Sequence, residues 1–268
     1  MLKDKLLKLY NDIAKERSEK QDNNVFRASS AGRCARALAY QWHGFKREPM
    51  QARGIRVFKH GDVIEEAVDR DCDEYKERYG EDILTDRQLE GQYILPQTEQ
   101  PITTHIDGIT KHEGEEVIAN IKTSADGGFN MAERGMFEYS HACQAHVEMK
   151  AINATHNKNI NKALYYYYRK QTSHDAEIVC QFDEKIMLEI ENRFRKVLAS
   201  TPENLPDREL EQYGGIKEEQ SFPCTYCGYN KYCYPDRVTM IIKGKPKLCK
   251  TDYVPAIVKP RKKKGEIK

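Results

Sequence analysis

The sequence predicts one α/β domain carrying a small, metal-bound, cysteine-rich cap. Three observations carry that reading. Short runs with period-two alternation sit among longer runs with helical spacing, the order expected of a sheet flanked by helices. One alternating run, ITTHIDGITKHEGEEVIANIKTS at 102–124, reads as two strands joined by the polar turn His112-Glu113-Gly114-Glu115. Near the C-terminus three cysteines fall within ten residues, as Cys224-x2-Cys227-x5-Cys233.

Bulk properties narrow the class. A chain of 268 residues can bury one sizeable domain with an appendage, and 39% apolar with 32% charged residues suits a soluble protein. The apolar runs are only a few residues long, so no transmembrane helix is expected. The first 20 residues are amphipathic and lack the unbroken apolar region of a signal peptide. Together these predict a cytoplasmic protein, prokaryotic or viral in a host cytoplasm, with no membrane partner. A net charge of +2 leaves any affinity for nucleic acid to local patches. Eight cysteines in such a chain argue for metal or redox chemistry over disulfides. Cys72, Cys143 and Cys180 lie in apolar periodic segments and read as core. Cys34, Cys224, Cys227, Cys233 and Cys249 lie in polar or basic surroundings.

Taken in order, Leu2, Leu6, Leu9 and Ile13 have helical spacing and predict a first helix to about residue 20, followed by a polar linker to 24. The turn at 29–34 opens onto a helix over 35–42, with Ser29 or Ser30 as its cap. Residues 57–79 form a long helix with Ile64, Val68, Cys72, Tyr75 and Tyr79 on an apolar stripe. A short strand at 93–95 precedes the hairpin. Residues 127–136 read as a Gly-punctuated loop or short helix, and 140–154 as a helix carrying Gln144 and Glu148 on one face. Strands follow at 164–169 and 178–182. Asp183 caps a helix that turns Ile186, Ile190, Phe194 and Val197 inward, and the prolines at 202 and 206 end it. The expected divisions are 1–24 as helix and linker, 25–235 as the main domain with its cap, and 236–268 as an extension ending in the basic tail at 259–264.

The hairpin carries the first chemical signal. Strand alternation places Ile118, Asn120 and Lys122 on one face, and pairing brings Asp107 beside them. Cleaving a phosphodiester needs a divalent cation to polarise the phosphoryl group and acidify a water. Carboxylates hold hard cations such as Mg²⁺ or Mn²⁺, and a lysine orients the water or offsets developing charge. Glu65 or Glu66, on the polar side of the long helix, could supply a further carboxylate. Gln144 could hold a phosphate or a metal-bound water. Position 120, however, carries an amide where such a site wants an acid.

The cysteines carry the second signal. Three clustered thiolates need a fourth for four-coordinate closure, and Cys34 is the choice with Cys249 as rival. Zn²⁺ and an iron–sulfur cluster both accept four cysteines, and spacing does not separate them. Basic residues including Arg33, Arg36, Arg53, Arg56 and Lys59 mix with Trp42, Phe45 and Phe58, a pattern suited to single-stranded nucleic acid.

In this order, these motifs resemble the PD-(D/E)XK nuclease superfamily. They look most like its RecB-type, iron–sulfur exonucleases, which include CRISPR-adaptation Cas-four proteins and phage-encoded relatives. The resemblance covers about residues 34–233. It implies a restriction-endonuclease-like mixed sheet flanked by helices, and an exonuclease (also an endonuclease in some relatives) acting on single-stranded DNA or DNA ends. It implies Mg²⁺ or Mn²⁺ on Glu65 or Glu66, Asp107, position 120 and the Ile121 carbonyl, with Lys122 as the catalytic lysine. Gln144, Arg33 and Arg36 fall to DNA. The metal choice tips from Zn²⁺ to a [4Fe-4S] cluster on Cys34, Cys224, Cys227 and Cys233. A second copy of the chain, or recombination and replication proteins, are compatible partners. Asn120 departs from the family pattern. The favoured reading is an inactivated variant of a nuclease whose active form carries Asp there. The alternatives are a DNA-binding accessory protein that has lost cleavage, or an acid moved to Glu116 or Glu148.

Overall fold

The computed structural model describes residues 1–20, 22–208, 219–220, 224–242 and 245–250. The chain divides into two compact units, Met1–Asp207 and Arg208–Lys268. The basic stretch at 259–264 lies outside the described residues.

The first unit opens with α1 (Leu2–Glu19), β1 (Phe26–Arg27), a 3-10 turn (Ala28–Ser30), α2 (Ala35–Trp42) and the 28-residue α3 (Ala52–Tyr79). Next come β2 (Glu90–Ile94), β3 (Pro101–His105), β4 (Gly108–His112) and β5 (Glu115–Ser124). The unit closes with α4 (Asp126–Ala132), α5 (Tyr139–His156), β6 (Lys162–Arg169), β7 (Asp175–Gln181) and α6 (Glu184–Leu198). Two mixed sheets result, in the orders β1-β3-β2 and β4-β5-β6-β7. Strands β5 and β6 pair in parallel, with Asn120 opposite Tyr165 and Lys122 opposite Tyr167. A parallel pair needs a long crossover, and α4 and α5 supply it.

The hairpin expected at 102–124 is three strands, split between the sheets. β3 pairs with β1 and β2, whereas β4 pairs with β5. The break falls at Ile106-Asp107, where Ile106 donates its backbone N–H to Leu89 O (3.0 Å) and enters the core. Gly108 starts the new strand, because a Cβ there would lie 2.6 Å from Leu84 Cδ1.

Helix α5 packs against both sheets, touching β2 and β3 on one side and β5 and β6 on the other. Its Cys143 and Val147 join the core of Phe26, Ile102, Ile190 and Phe194. Its Ala145, Met149 and Ile152 join the core of Ile109, Ile118 and Tyr165. A helix covered on several sides shows little amphipathic signal. The far face of β5 presents Ala119 and Ile121 to Cys72 of α3 and to Leu84.

Several local expectations need correction. Ser30 belongs to the 3-10 turn and donates from Oγ to Arg27 O (2.7 Å), and Cys34 stands at the N-cap of α2 without a side-chain cap bond. Tyr75 and Tyr79 leave the apolar stripe of α3 and meet each other in the open with tilted rings (centroids 4.7 Å apart). Leu2, Leu6 and Leu9 are also exposed, because α1 turns Ala14 and Ser18 inward. Asp183 does cap α6, accepting from Lys185 N at 2.8 Å.

The second unit contains β8 (Glu219–Gln220), a 3-10 turn (Cys224–Tyr226), α7 (Asn230–Cys233), β9 (Arg237–Ile242) and β10 (Lys245–Lys250). Its strands form an antiparallel sheet in the order β8-β10-β9, and β10 packs against the turn at Cys224–Tyr226.

Phe194 is fully buried, with its ring 4.4 Å from that of Phe26. Phe194→Ala is expected to cost about 3–5 kcal/mol. Urea unfolding followed by circular dichroism would read this as a lower midpoint at unchanged slope.

Candidate functional site

The site forms where β5 passes the start of β4. The antiparallel ladder ends with Gly108 opposite Ala119. One step beyond, Asp107 Oδ2 accepts the Ile121 N–H at 2.6 Å. The carboxylate thus replaces a strand carbonyl, and the bond fixes Asp107 beside Asn120 and Lys122. Gln88, at φ +56°, donates its N–H to the Asp107 carbonyl (3.3 Å).

Helix α3 brings Glu65 to the same place. Gln88 Nε2 donates to Glu65 Oε1 at 3.0 Å. Burial raises the Glu65 pKa, and the nearby Asp107 charge raises it further, against the pull of Gln88 and Lys122. Glu65 thus resists ionisation, chiefly through burial and secondarily through its acidic neighbour. Glu66 points to solvent, and among the described residues its carboxylate joins no hydrogen bond or ion pair. Asp69, one helical turn after Glu65, feels Asp107 as well, although burial raises its pKa most. The i, i+4 spacing from Glu65 would have revealed Asp69 in the sequence.

Lys122 is half-buried, with Nζ 5.9 Å from the centre of the Tyr165 ring. The Tyr165 hydroxyl donates to His141 O (2.8 Å), and His141 Nδ1 lies 2.7 Å from the Tyr167 hydroxyl. Burial lowers the His141 pKa, and Lys122 adds to that effect. Neither tyrosine nor His141 stood out in the sequence, since a KALYYYYR strand reads simply as core.

Behind this surface lies a sealed polar triad. Asn120 is 1% exposed and Glu148 0%. Asn120 Nδ2 donates to Glu148 Oε2 at 2.8 Å, and Gln144 Nε2 donates to Glu148 Oε1 at 2.7 Å. Burial pushes the Glu148 carboxyl up to about 7, Asp107 adds to the rise, and Lys122 with the two amides opposes it. Gln144 therefore serves a neighbouring side chain. Glu116 is exposed and ion-paired with Lys158 (3.2 Å), leaving Glu148 as the carboxylate beside position 120.

The remaining expected residues are dispersed. Arg36 donates to Pro206 O (2.8 Å) and to the Tyr40 hydroxyl (3.3 Å). Arg33 is exposed. Cys34 belongs to the first unit, and Cys224, Cys227 and Cys233 to the second. Cys249 is buried on β10, and its Sγ contacts Lys247 O at 3.8 Å. Among the described residues none of the eight cysteines forms a disulfide, and no group of three or more His, Cys, Asp or Glu stands ready to hold a metal ion. The two acids that meet at the β5 site are accordingly Glu65 and Asp107. Among the described residues no helix is long and apolar enough to cross a membrane.

No family model matches the sequence, and none of the curated proteins does. Among solved structures, one named SSO0001 matches at 15% identity and a TM-score of 0.51, covering 87% of this chain and 96% of that one. That likeness shows a shared fold. An alkaline exonuclease (LHK-Exo) from Laribacter hongkongensis matches at 14% identity and a TM-score of 0.43, over 66% of this chain and 87% of that one. Its complex with dAMP matches at 15% and 0.44 over the same shares.

The Glu148 carboxyl, at about 7 in the folded protein against an ordinary 4.5, fixes a pH dependence. Between those values the folded state keeps a proton that the unfolded chain releases, so stability falls as pH rises through the window. The loss is complete above pH 7 and amounts to about 3 kcal/mol. Glu148→Gln should flatten that slope in thermal melts recorded from pH 4 to 8.

Proposed function

We propose that the first unit is a divalent-metal-dependent nuclease acting on DNA, on single strands or ends. One observation carries the reading: Asp107, Glu65 and Lys122 converge from a strand junction, a helix and a strand on one end of β5. The two acids, with the Ile121 carbonyl and the Asn120 amide oxygen, fit a hard cation such as Mg²⁺ or Mn²⁺. When bound, that cation would polarise the phosphoryl oxygen and acidify a water. The chain's own residues orient the reactants. Asp107 is pinned by the Ile121 N–H, and the Tyr165 ring supports Lys122 beside the position of developing charge.

Asn120 weakens the hold on the cation, since an amide oxygen brings no charge. This supports the reading of an inactivated nuclease that Asn120→Asp would switch on; the alternative, a DNA-binding accessory protein, would stay without cleavage in that form. The Asn120–Glu148 bond favours a second reading, in which the missing acid has moved to Glu148 on α5. One assay separates them: cleavage of end-labelled single- and double-stranded DNA with Mg²⁺ or Mn²⁺. A rise of about a hundredfold in Asn120→Asp, abolished by adding Asp107→Ala, supports the switched-off site. An active parent chain silenced by Glu148→Gln supports the moved acid. Inert protein in every form would overturn the nuclease reading.

The proposal extends to the cysteines. Their C-x2-C-x5-C spacing supports a [4Fe-4S] cluster on Cys224, Cys227 and Cys233, with Zn²⁺ as the alternative metal and Cys34 or Cys249 as the fourth thiolate. Anaerobically purified full chain should carry about four iron atoms and matching acid-labile sulfide. Cys227→Ser should lose them, and comparing Cys34→Ser with Cys249→Ser identifies the fourth ligand. A zinc-replete, iron-free protein would reject the cluster.

A further inference from the structure

Helix α3 has a charge distribution that its own stability does not explain. A helix N-terminus favours acids and its C-terminus favours bases. The first ten residues of α3 hold Arg53, Arg56, Lys59 and His60 with no acid, and the acids begin at Asp62. All five residues from Arg56 to His60 are exposed. The segment also carries apolar side chains into solvent, with Val57 49% and Phe58 51% exposed. Arg56 and Lys59 lie over the Tyr10 ring at 5.7 and 5.6 Å, so α1 holds two of the cations in place.

The position of this segment gives it a purpose. Helix α3 passes β5 at Gly61, whose missing Cβ would sit 3.6 Å from Thr123 Oγ1. Thr123 follows Lys122. Four residues beyond Gly61 is Glu65, and three residues before it is Phe58. Phe58 and Glu65 are seven residues apart, so they project from the same side of the helix, about 10 Å apart along its axis. That distance is about three nucleotide steps at 3.4 Å each.

We infer that Phe58 is a stacking platform for a base of single-stranded nucleic acid approaching the β5 site, with Arg53 and Lys59 meeting its phosphates. An exposed aromatic ring on a helical segment rich in cations is chemistry that binds single strands without sequence preference. The alternative occupant, a second copy of the chain docking on Val57 and Phe58, does not account for cations gathered where the helix dipole opposes them. The inference rests on the nuclease reading for its purpose, and its test does not depend on cleavage.

The test is fluorescence anisotropy of the full chain in EDTA, with oligo-dT of about 15 nucleotides and a duplex of equal length as probes. Phe58→Ala should weaken oligo-dT binding about tenfold and leave duplex binding nearly unchanged, whereas Phe58→Trp should retain it. Arg53→Gln and Lys59→Gln should each lower the salt slope for oligo-dT by about 0.7. Circular dichroism checks that the variants fold. Binding in Phe58→Ala within about twofold of the parent, or full binding by Phe58→Leu, would sink the platform. So would a dimer in analytical ultracentrifugation that Phe58→Ala dissolves, which would assign the patch to self-association. If oligo-dT binding behaves as expected while Asn120→Asp and the parent chain both fail to cut, the platform stands and the nuclease reading falls.

Discussion

The bond from the Ile121 N–H to Asp107 Oδ2 is the contact on which the site depends. A backbone donor at the end of a ladder must find an acceptor, and here a side chain provides it. One consequence is topological: the chain leaves the first sheet at His105 and enters the second at Gly108, so the two residues between them join the sheets. The other is chemical, because the same carboxylate faces Glu65 and Lys122 from a fixed position. Asp107→Asn would retain an acceptor oxygen while removing the charge. Its structural and electrostatic duties are therefore separable, although one atom performs both.

A second constraint comes from α5, which packs against both sheets. A helix so enclosed has little room for polar side chains, yet it carries His146 and Glu148 inward, with Gln144 half-buried beside them. Each polar group is satisfied locally. His146 Nε2 accepts the Asp183 N–H (2.9 Å) while Nδ1 faces Ala142 O (2.7 Å), and Glu148 accepts from two amides. In low dielectric such bonds hold only with full pairing. The amide at position 120 suits this arrangement because it donates to Glu148, whereas a carboxylate there would have to share a proton with it.

Much of the fold was legible in the sequence because its signals are local. The spacing of Ile190, Phe194 and Val197, the cap at Asp183 and the alternation of β5 all depend on neighbours in the chain. The split of the expected hairpin was hidden because Ile106 continues the alternation while the backbone changes sheets. Helix α5 hid its two-sided burial for a related reason, since small residues such as Ala142, Ala145 and Ala151 show no moment. At the site, Asp107 and Lys122 were readable from spacing and Glu148 was named as an alternative acid, whereas Tyr165 and Gln88 acquire meaning only from partners far along the chain. Arg36 shows the converse: a cation that reads as a ligand for phosphate donates to a carbonyl 170 residues away.

The separation of the paired residues also sets an order of assembly. Asp107 and Ile121 are 14 residues apart, within reach of a single hairpin. Asn120 must wait for Tyr165, 45 residues on, because their strands run parallel. Loop closure makes contacts of the first kind early and those of the second kind late. The Asp107–Ile121 bond thus forms with the β4–β5 hairpin, while the ring that steadies Lys122 arrives only when β6 docks. A ribosome-bound chain that ends before β6 would own the carboxylates of the site without the means to aim its lysine.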